Sequence, residues 1–253
     1  LKKPRRGVIT RGGELYLKHG SLSPTTLETY FSCPYLAFIR QGLCLKEREE
    51  GEIRAADTGN FIHSVLQDAA QYVDGTEYGE FENKARALAA EKLSKPPYSA
   101  LADSKSGQYL TGELISEAVE VSKGMYLQLK NSQFKVVAVE SKCTVELFDG
   151  VKVYGRIDRV DQCGDMVRII DYKSGKVDCS PSKYYTGAKL QLPLYLLSAS
   201  EGKRAVGAYY FPAAVDYSAE KDGVFRLRGF MDGSSEVVRA SDSAVEPKKK
   251  ANM

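Results

Sequence analysis

Apolar residues recur at helical spacing through the first half of the chain and at strand spacing through the second. Ser23-Pro24 reads as an N-cap followed by proline at the first helical position, and Leu27, Tyr30 and Phe31 continue on one helix face. Pro34 interrupts or restarts that helix, after which Tyr35, Phe38 and Ile39 extend the apolar face. From about Ala55 to Val73 the residues Phe61, Ile62, Val65, Leu66, Ala69, Ala70 and Val73 define an amphipathic helix. Further helices are predicted from Glu80 to Leu93 and from about Tyr109 to Leu129, with a loop opened by Lys95-Pro96-Pro97 between them.

Near Phe134 the pattern changes. Phe134 to Leu147 is rich in β-branched residues, Asp149-Gly150 signals a turn, and Val151 to Val160 follows as a second strand. A turn around Gly164 leads to a third strand, Met166 to Lys173. Tyr184 to Ser200 reads as a helix, Ala205 to Phe211 as a strand, and Val224 to Phe230 as its candidate partner. The residues after Met231 are polar, end in Lys248-Lys249-Lys250 and are expected to be loose. Helices followed by β-β-β-α-β predict an α/β fold, a mixed central sheet flanked by helices. The expected layout is one domain over 1–230, with a helical part at about 20–130 and a mixed-sheet core at about 131–230, then a polar tail at 231–253.

Composition adds bounds. With 43% apolar and 27% charged residues among 253, the chain matches a folded globular protein and excludes wholesale disorder. No apolar run nears the ~18 residues needed to cross a bilayer. No N-terminal apolar segment resembles a signal peptide, so a cytoplasmic location is expected. The chain begins with Leu1, which suggests a piece of a longer protein. The net charge of +3 is small, but Lys2, Lys3, Arg5, Arg6, Arg11 and Lys18 face only Glu14 in the first stretch, a basic arm or a solvated surface. Cys33, Cys44, Cys143, Cys163 and Cys179 form neither a disulfide framework nor a self-contained zinc site, and are expected to be mostly small buried residues.

Chemistry enters through strand geometry. Residues two apart on a strand share a face, so Asp171 and Lys173 point the same way at the end of the third strand, just before the Ser174-Gly175 turn. Asp158 on the preceding strand has the parity of Tyr154 and Arg156, and a hairpin can lay it beside Asp171. Two neighbouring carboxylates repel unless a cation lies between them, and oxygen ligands suit Mg²⁺ or Mn²⁺. A lysine beside such a site can hold or activate a water. An isolated Asp-x-Lys is far more often a surface salt bridge.

The surroundings change that reading. Gly155-Arg-Ile-Asp158-Arg-Val-Asp161, Ile169-Ile170-Asp171-Tyr172-Lys173-Ser174-Gly175 and Gln191-Leu-Pro-Leu-Tyr195 follow in order, and Gly59-Asn-Phe-Ile-His63-Ser-Val-Leu66 precedes them on a predicted helix. This ordered set resembles the RecB-type branch of the PD-(D/E)xK nucleases, whose core is restriction-endonuclease-like. The segment from Ser23 to Phe38 further resembles the opening of the nuclease domain in the AddB family, which belongs to the bacterial AddAB helicase–nucleases. The resemblance implies a metal-dependent deoxyribonuclease, an exonuclease trimming single-stranded DNA, the 5′-ended strand, beside an AddA-like helicase partner in double-strand-break repair and recombination.

It also implies roles. Asp158 and Asp171 would coordinate Mg²⁺ or Mn²⁺, with the backbone carbonyl of Tyr172 and with His63 from the helix side. Lys173 would position the attacking water, and Gln191 and Tyr195, four apart on a helix, would hold the phosphodiester or Lys173. Glu140, near the end of the first strand, could orient the site. Cys33 matches the family's iron–sulfur cysteine, yet no cysteine follows Cys179, so a [4Fe–4S] cluster is expected only in a longer protein. Two alternatives stay open: a catalytically silent module that binds DNA ends or braces a helicase, and a free-standing RecB-type nuclease such as those associated with CRISPR systems.

Overall fold

A computed structural model of the chain describes residues 21–45, 55–147, 150–215 and 225–245. The basic arm and the terminal lysines lie outside these residues. At the start of α1 (Pro24–Ser32), Ser23 Oγ accepts the Thr26 amide at 3.1 Å, and Pro24 sits where a missing N–H is harmless. Cys33 is extended, as a residue before proline prefers, so α1 stops and α2 (Pro34–Ala37) restarts before a π-type turn at Phe38–Gly42.

Helices α3 (Ala55–Ala69), α4 (Tyr78–Leu93) and α5 (Lys105–Lys130) form one layer. Phe61, Ile62, Val65, Leu66 and Ala69 of α3 are buried against Phe81, Ala89, Leu114, Ala118, Val121 and Met125. Each large apolar side chain buried there stabilises the fold by roughly 1.5–3 kcal/mol, which fixes α3 firmly in position.

The sheet is six-stranded and mixed. β1 (Ser21–Leu22), β2 (Lys135–Glu146), β3 (Lys152–Cys163), β4 (Met166–Lys173), β5 (Arg204–Pro212) and β6 (Arg228–Met231) provide the strands. β2 runs antiparallel along one side of β3. The other side of β3 is shared: β1 pairs in parallel at Lys152 and Val153, and β4 pairs antiparallel from Arg159 to Cys163. β5 lies parallel to β4, and β6 antiparallel to β5. The β4-to-β5 crossover carries α6 (Pro181–Tyr185) and α7 (Gln191–Ala199). Leu192, Leu194 and Tyr195 of α7 pack with Val153, Ile157, Val167, Ile169 and Tyr210 in a cluster separate from that of α3–α5. Helices therefore cover both faces of the restriction-endonuclease-like core. No helix among the described residues is long and apolar enough to cross a membrane.

Three expectations change. The helix expected over Tyr184–Ser200 is two helices, because the backbone turns through the left-handed region at Gly187 (φ 76°). The segment expected to be a loose tail carries α8 (Ser235–Ser241), whose Val237 and Ala240 are buried with Phe134, Met166 and Val206. Of the five cysteines only Cys143 is buried. Cys33 is exposed because it caps α2, its Sγ accepting the Leu36 N–H at 3.5 Å.

Between sheet and α5 lies a buried charge cluster. Asp161 sits 2.9 Å from Arg159 Nε and 3.1 Å from Arg168 Nε, all three at or near zero exposure. Arg159 donates to Gln128 Oε1 at 2.7 Å, and Arg168 donates to Ser132 Oγ at 3.2 Å with its guanidinium over the Phe134 ring. Asp161→Ala would leave two buried cations unpaired. It is expected to destabilise the domain by about 3–5 kcal/mol, measured by denaturant unfolding. A loss below about 1 kcal/mol, the scale of a surface pair, would show that the cluster does not hold the hairpin.

Candidate active site at a strand fork

The antiparallel ladder between β3 and β4 ends at the Arg159–Ile170 pair. Past it the Tyr172 N–H donates to Asp158 Oδ2 at 2.7 Å, so a carboxylate takes the place of the next strand rung. The strands part here, and β1 occupies the far end of β3. Side-chain alternation also breaks. Ile157 packs in the cluster of α7, whereas Arg159, two residues on, reaches Gln128 of α5. Opposite, Glu140 of β2 has a φ of 49°, a strained conformation for a residue other than glycine. Parity groups Asp158 with Tyr154 and Arg156. In the structure Tyr154 is 48% exposed and Asp158 only 8%, because this local irregularity re-aims the acid.

Asp171 and Lys173 do share a side. Lys173 Nζ lies 2.8 Å from Asp171 Oδ2. Gln191, the first residue of α7, joins the two: its Nε2 donates to Asp171 Oδ1 at 2.6 Å and its Oε1 accepts from Lys173 Nζ at 3.1 Å. Tyr195 OH is 3.5 Å from Gln191 Nε2, too long to orient it strongly. Tyr195 instead presses on Gly155, where an added Cβ would lie 2.6 Å from the ring. That contact accounts for the glycine in the Gly155–Asp158 motif.

His63 arrives from α3, its Nε2 2.9 Å from Asp158 Oδ2. Gly59, one turn earlier on the same helix face, approaches β4 so closely that a Cβ would sit 2.6 Å from Ser174 Oγ. Thr58, Gly59, Ile62, Ser174, Gly175 and Ala213 line an open cleft of 450 Å³ beside Lys173.

The donors fit a hard divalent cation. His63, Glu140 and Asp158 each present a ligand atom within 4.8 Å of the others. Asp171 Oδ2 is buried and accepts no hydrogen bond of good geometry, although Lys173 is close. Glu140, which also pairs with Arg156 at 2.9 Å, therefore stands nearer the candidate cation position than its weak sequence signal implied. Asp171 is not part of that three-residue group but is tied to Lys173 and Gln191. A [4Fe–4S] cluster does not fit this chain's thiols. Cys33 belongs to no group of potential ligands among the described residues, and its backbone contact at Leu36 is that of a helix cap.

Electrostatics reflect the crowding. Burial first, and then the Asp158 charge, push Asp171 up to about 7. Burial disfavours charged His63, but the hydrogen bond and charge of Asp158 outweigh it and raise its pKa above 6.5. Burial likewise opposes the Lys173 ammonium, and Asp171 more than offsets it.

The PD-(D/E)XK nuclease superfamily model matches residues 21–245, and the chain belongs to that superfamily. Among curated proteins it is similar to the AddB-type ATP-dependent helicase/deoxyribonuclease chain of Clostridium tetani, with 31% identity over 208 residues, 72% of this chain and 18% of the relative. The protein of the same name from Pelotomaculum thermopropionicum is 32% identical over 248 residues, 89% of this chain and 21% of the relative. That of Ruminiclostridium cellulolyticum is 30% identical over 240 residues, 84% and 20%. The chain spans about a fifth of the length of these relatives.

The raised pKa values carry a stability consequence. Between 3.8 and about 7 the folded protein keeps a proton on Asp171 that the unfolded chain has released, so this contribution is full at low pH and lost as pH rises through about 7. His63 acts in the same direction, its contribution lost as pH rises through its folded pKa. Metal-free protein is therefore expected to melt at a lower temperature at pH 8 than at pH 6. Asp171→Asn should flatten most of that slope, and an unchanged slope would remove Asp171 as its cause.

Proposed function

We propose that this domain is a Mg²⁺- or Mn²⁺-dependent deoxyribonuclease, an exonuclease that hydrolyses phosphodiester bonds of single-stranded DNA. The observation that carries the reading is the joining of Asp158, Asp171, Lys173 and His63 at one strand fork. Superfamily membership supports the reaction class. The relatives' name, an ATP-dependent helicase/deoxyribonuclease, supports work beside an AddA-like helicase on the 5′-ended strand in double-strand-break repair and recombination.

His63, Asp158, Asp171 and the Tyr172 carbonyl would hold the cation, with Glu140 beside them. When bound, it supplies Lewis-acid stabilisation of the charge that builds on the phosphoryl oxygens. Lys173 holds the attacking water by one of its ammonium N–H groups and offsets phosphate charge. Gln191 keeps Lys173 and Asp171 at fixed separation, so the ammonium does not collapse onto the phosphate. Tyr195 supports the turn from behind Gly155. The water oxygen bonds to phosphorus as the bridging P–O bond breaks, and the departing sugar oxygen takes a proton. Exposed rings at Phe31 and Tyr185, near the α6–α7 loop, suit stacking against unpaired bases.

Labelled single-stranded and duplex oligonucleotides incubated with Mg²⁺ test the proposal. Lys173→Ala is expected to slow cleavage by roughly 10²–10⁴-fold, and Asp171→Ala to abolish it. Cleavage by Asp171→Ala at the parental rate would dispose of the mechanism. Tight DNA binding by the parent without cleavage in either Mg²⁺ or Mn²⁺ would instead identify a silent binding module.

A further inference from the structure

Gln191 is the only described residue that hydrogen-bonds both Asp171 and Lys173, yet it stands at the most easily frayed position of its helix. The first N–H groups of a helix have no partner within it. α7 does not cap itself, since Leu190 at its N-cap has no side-chain acceptor, and Pro193 leaves the first turn one N–H short. The missing acceptor comes from α1. Glu28 Oε1 accepts the N–H of Leu190 at 2.6 Å and that of Gln191 at 2.8 Å, across more than half the chain. A carboxylate there also complements the helix dipole. The same face of contact continues at Phe31, whose ring lies against Gly187. A Cβ on Gly187 would fall 2.8 Å from the ring carbons, and the backbone φ of 76° already favours glycine. Helix α1 thus grips the α6–α7 loop twice, through a carboxylate and through a ring.

We infer that Glu28 is a positioning residue for the reaction: it fixes the backbone of Gln191, and through the Gln191 amide it sets the spacing of Asp171 and Lys173. The inference rests on the nuclease reading and adds to it a residue outside the four motifs. Glu28 touches none of the reacting groups, so its effect must pass through Gln191. This separates it from a residue that merely stabilises α1.

Steady-state cleavage of a single-stranded oligonucleotide in Mg²⁺ tests this with the parent, Glu28→Ala, Glu28→Gln, Gln191→Ala and the Glu28→Ala/Gln191→Ala double variant. Thermal midpoints are recorded for each. Glu28→Ala is expected to lower kcat by roughly 10–100-fold with KM for DNA nearly unchanged, the scale of a misplaced catalytic group. Glu28→Gln keeps an acceptor oxygen and should recover most of the loss. In the Gln191→Ala background, Glu28→Ala should cost about nothing more, because coupled residues are not additive. If Glu28→Ala fails to fold, Glu28→Met, which keeps the length without the acceptor, takes its place in the same cycle. Parental kcat in Glu28→Ala, or an equal loss in both backgrounds, overturns the inference and leaves the nuclease reading standing. An inactive parent overturns the nuclease reading and this role with it.

Discussion

Two carboxylates held side by side under cover are the constraint on which the site depends. Asp158 and Asp171 sit on neighbouring strands with 8% and 1% of their surface exposed, where water screens them little. Every other feature of the site answers that repulsion. The Tyr172 N–H and His63 neutralise one acid, while the Lys173 ammonium and the Gln191 amide neutralise the other. The answer remains incomplete, since Asp171 is pushed up to about 7 and one of its oxygens lacks a well-aligned donor. A place is left for one more positive charge, and the surrounding donors are those a hard cation prefers.

The fold creates this arrangement by separating two strands. If β3 and β4 stayed paired to their ends, both acids would lie in a closed ladder with no room for a phosphate. Parting them leaves backbone groups to satisfy, and Asp158 satisfies one with its own side chain. Two glycines let helices approach the gap: Gly59 brings α3 against Ser174, and Gly155 brings Tyr195 of α7 against β3. Rigidity comes from behind, where Arg159, Asp161 and Arg168 tie the closed half of the hairpin to α5.

Much of this was legible in the sequence, and the exceptions share a cause. Asp171 and Lys173 were readable because β4 is regular and alternation holds to its end. Gln191 and Tyr195 were readable because four residues on a helix return to one face. Alternation misplaced Asp158 because the strand is irregular where the acid is needed, and no local residue type announces a positive φ at a glutamate. Glu28 gave no signal, since its partners are backbone groups distant in sequence that only the tertiary fold brings near. α8 escaped notice for a simpler reason: with so few apolar residues its period is hard to see, yet Val237 and Ala240 plug a gap beside Phe134. The exposure of Cys33 follows from its place between two helices, where its sulfur faces an amide rather than the core.

The same layout has a bearing on the polypeptide while it is being made. Leaving the ribosome N-terminus first, it releases His63, then Asp158, and then the pair at 171 and 173, long before β5 arrives to flank β4. The bridging amide at 191 emerges later than the acids it organises, and it must find a carboxylate from the opening helix, which has been waiting since the first few dozen residues. A nascent chain therefore holds dispersed and inert pieces, and whatever reactivity the finished domain possesses switches on only near the end of translation.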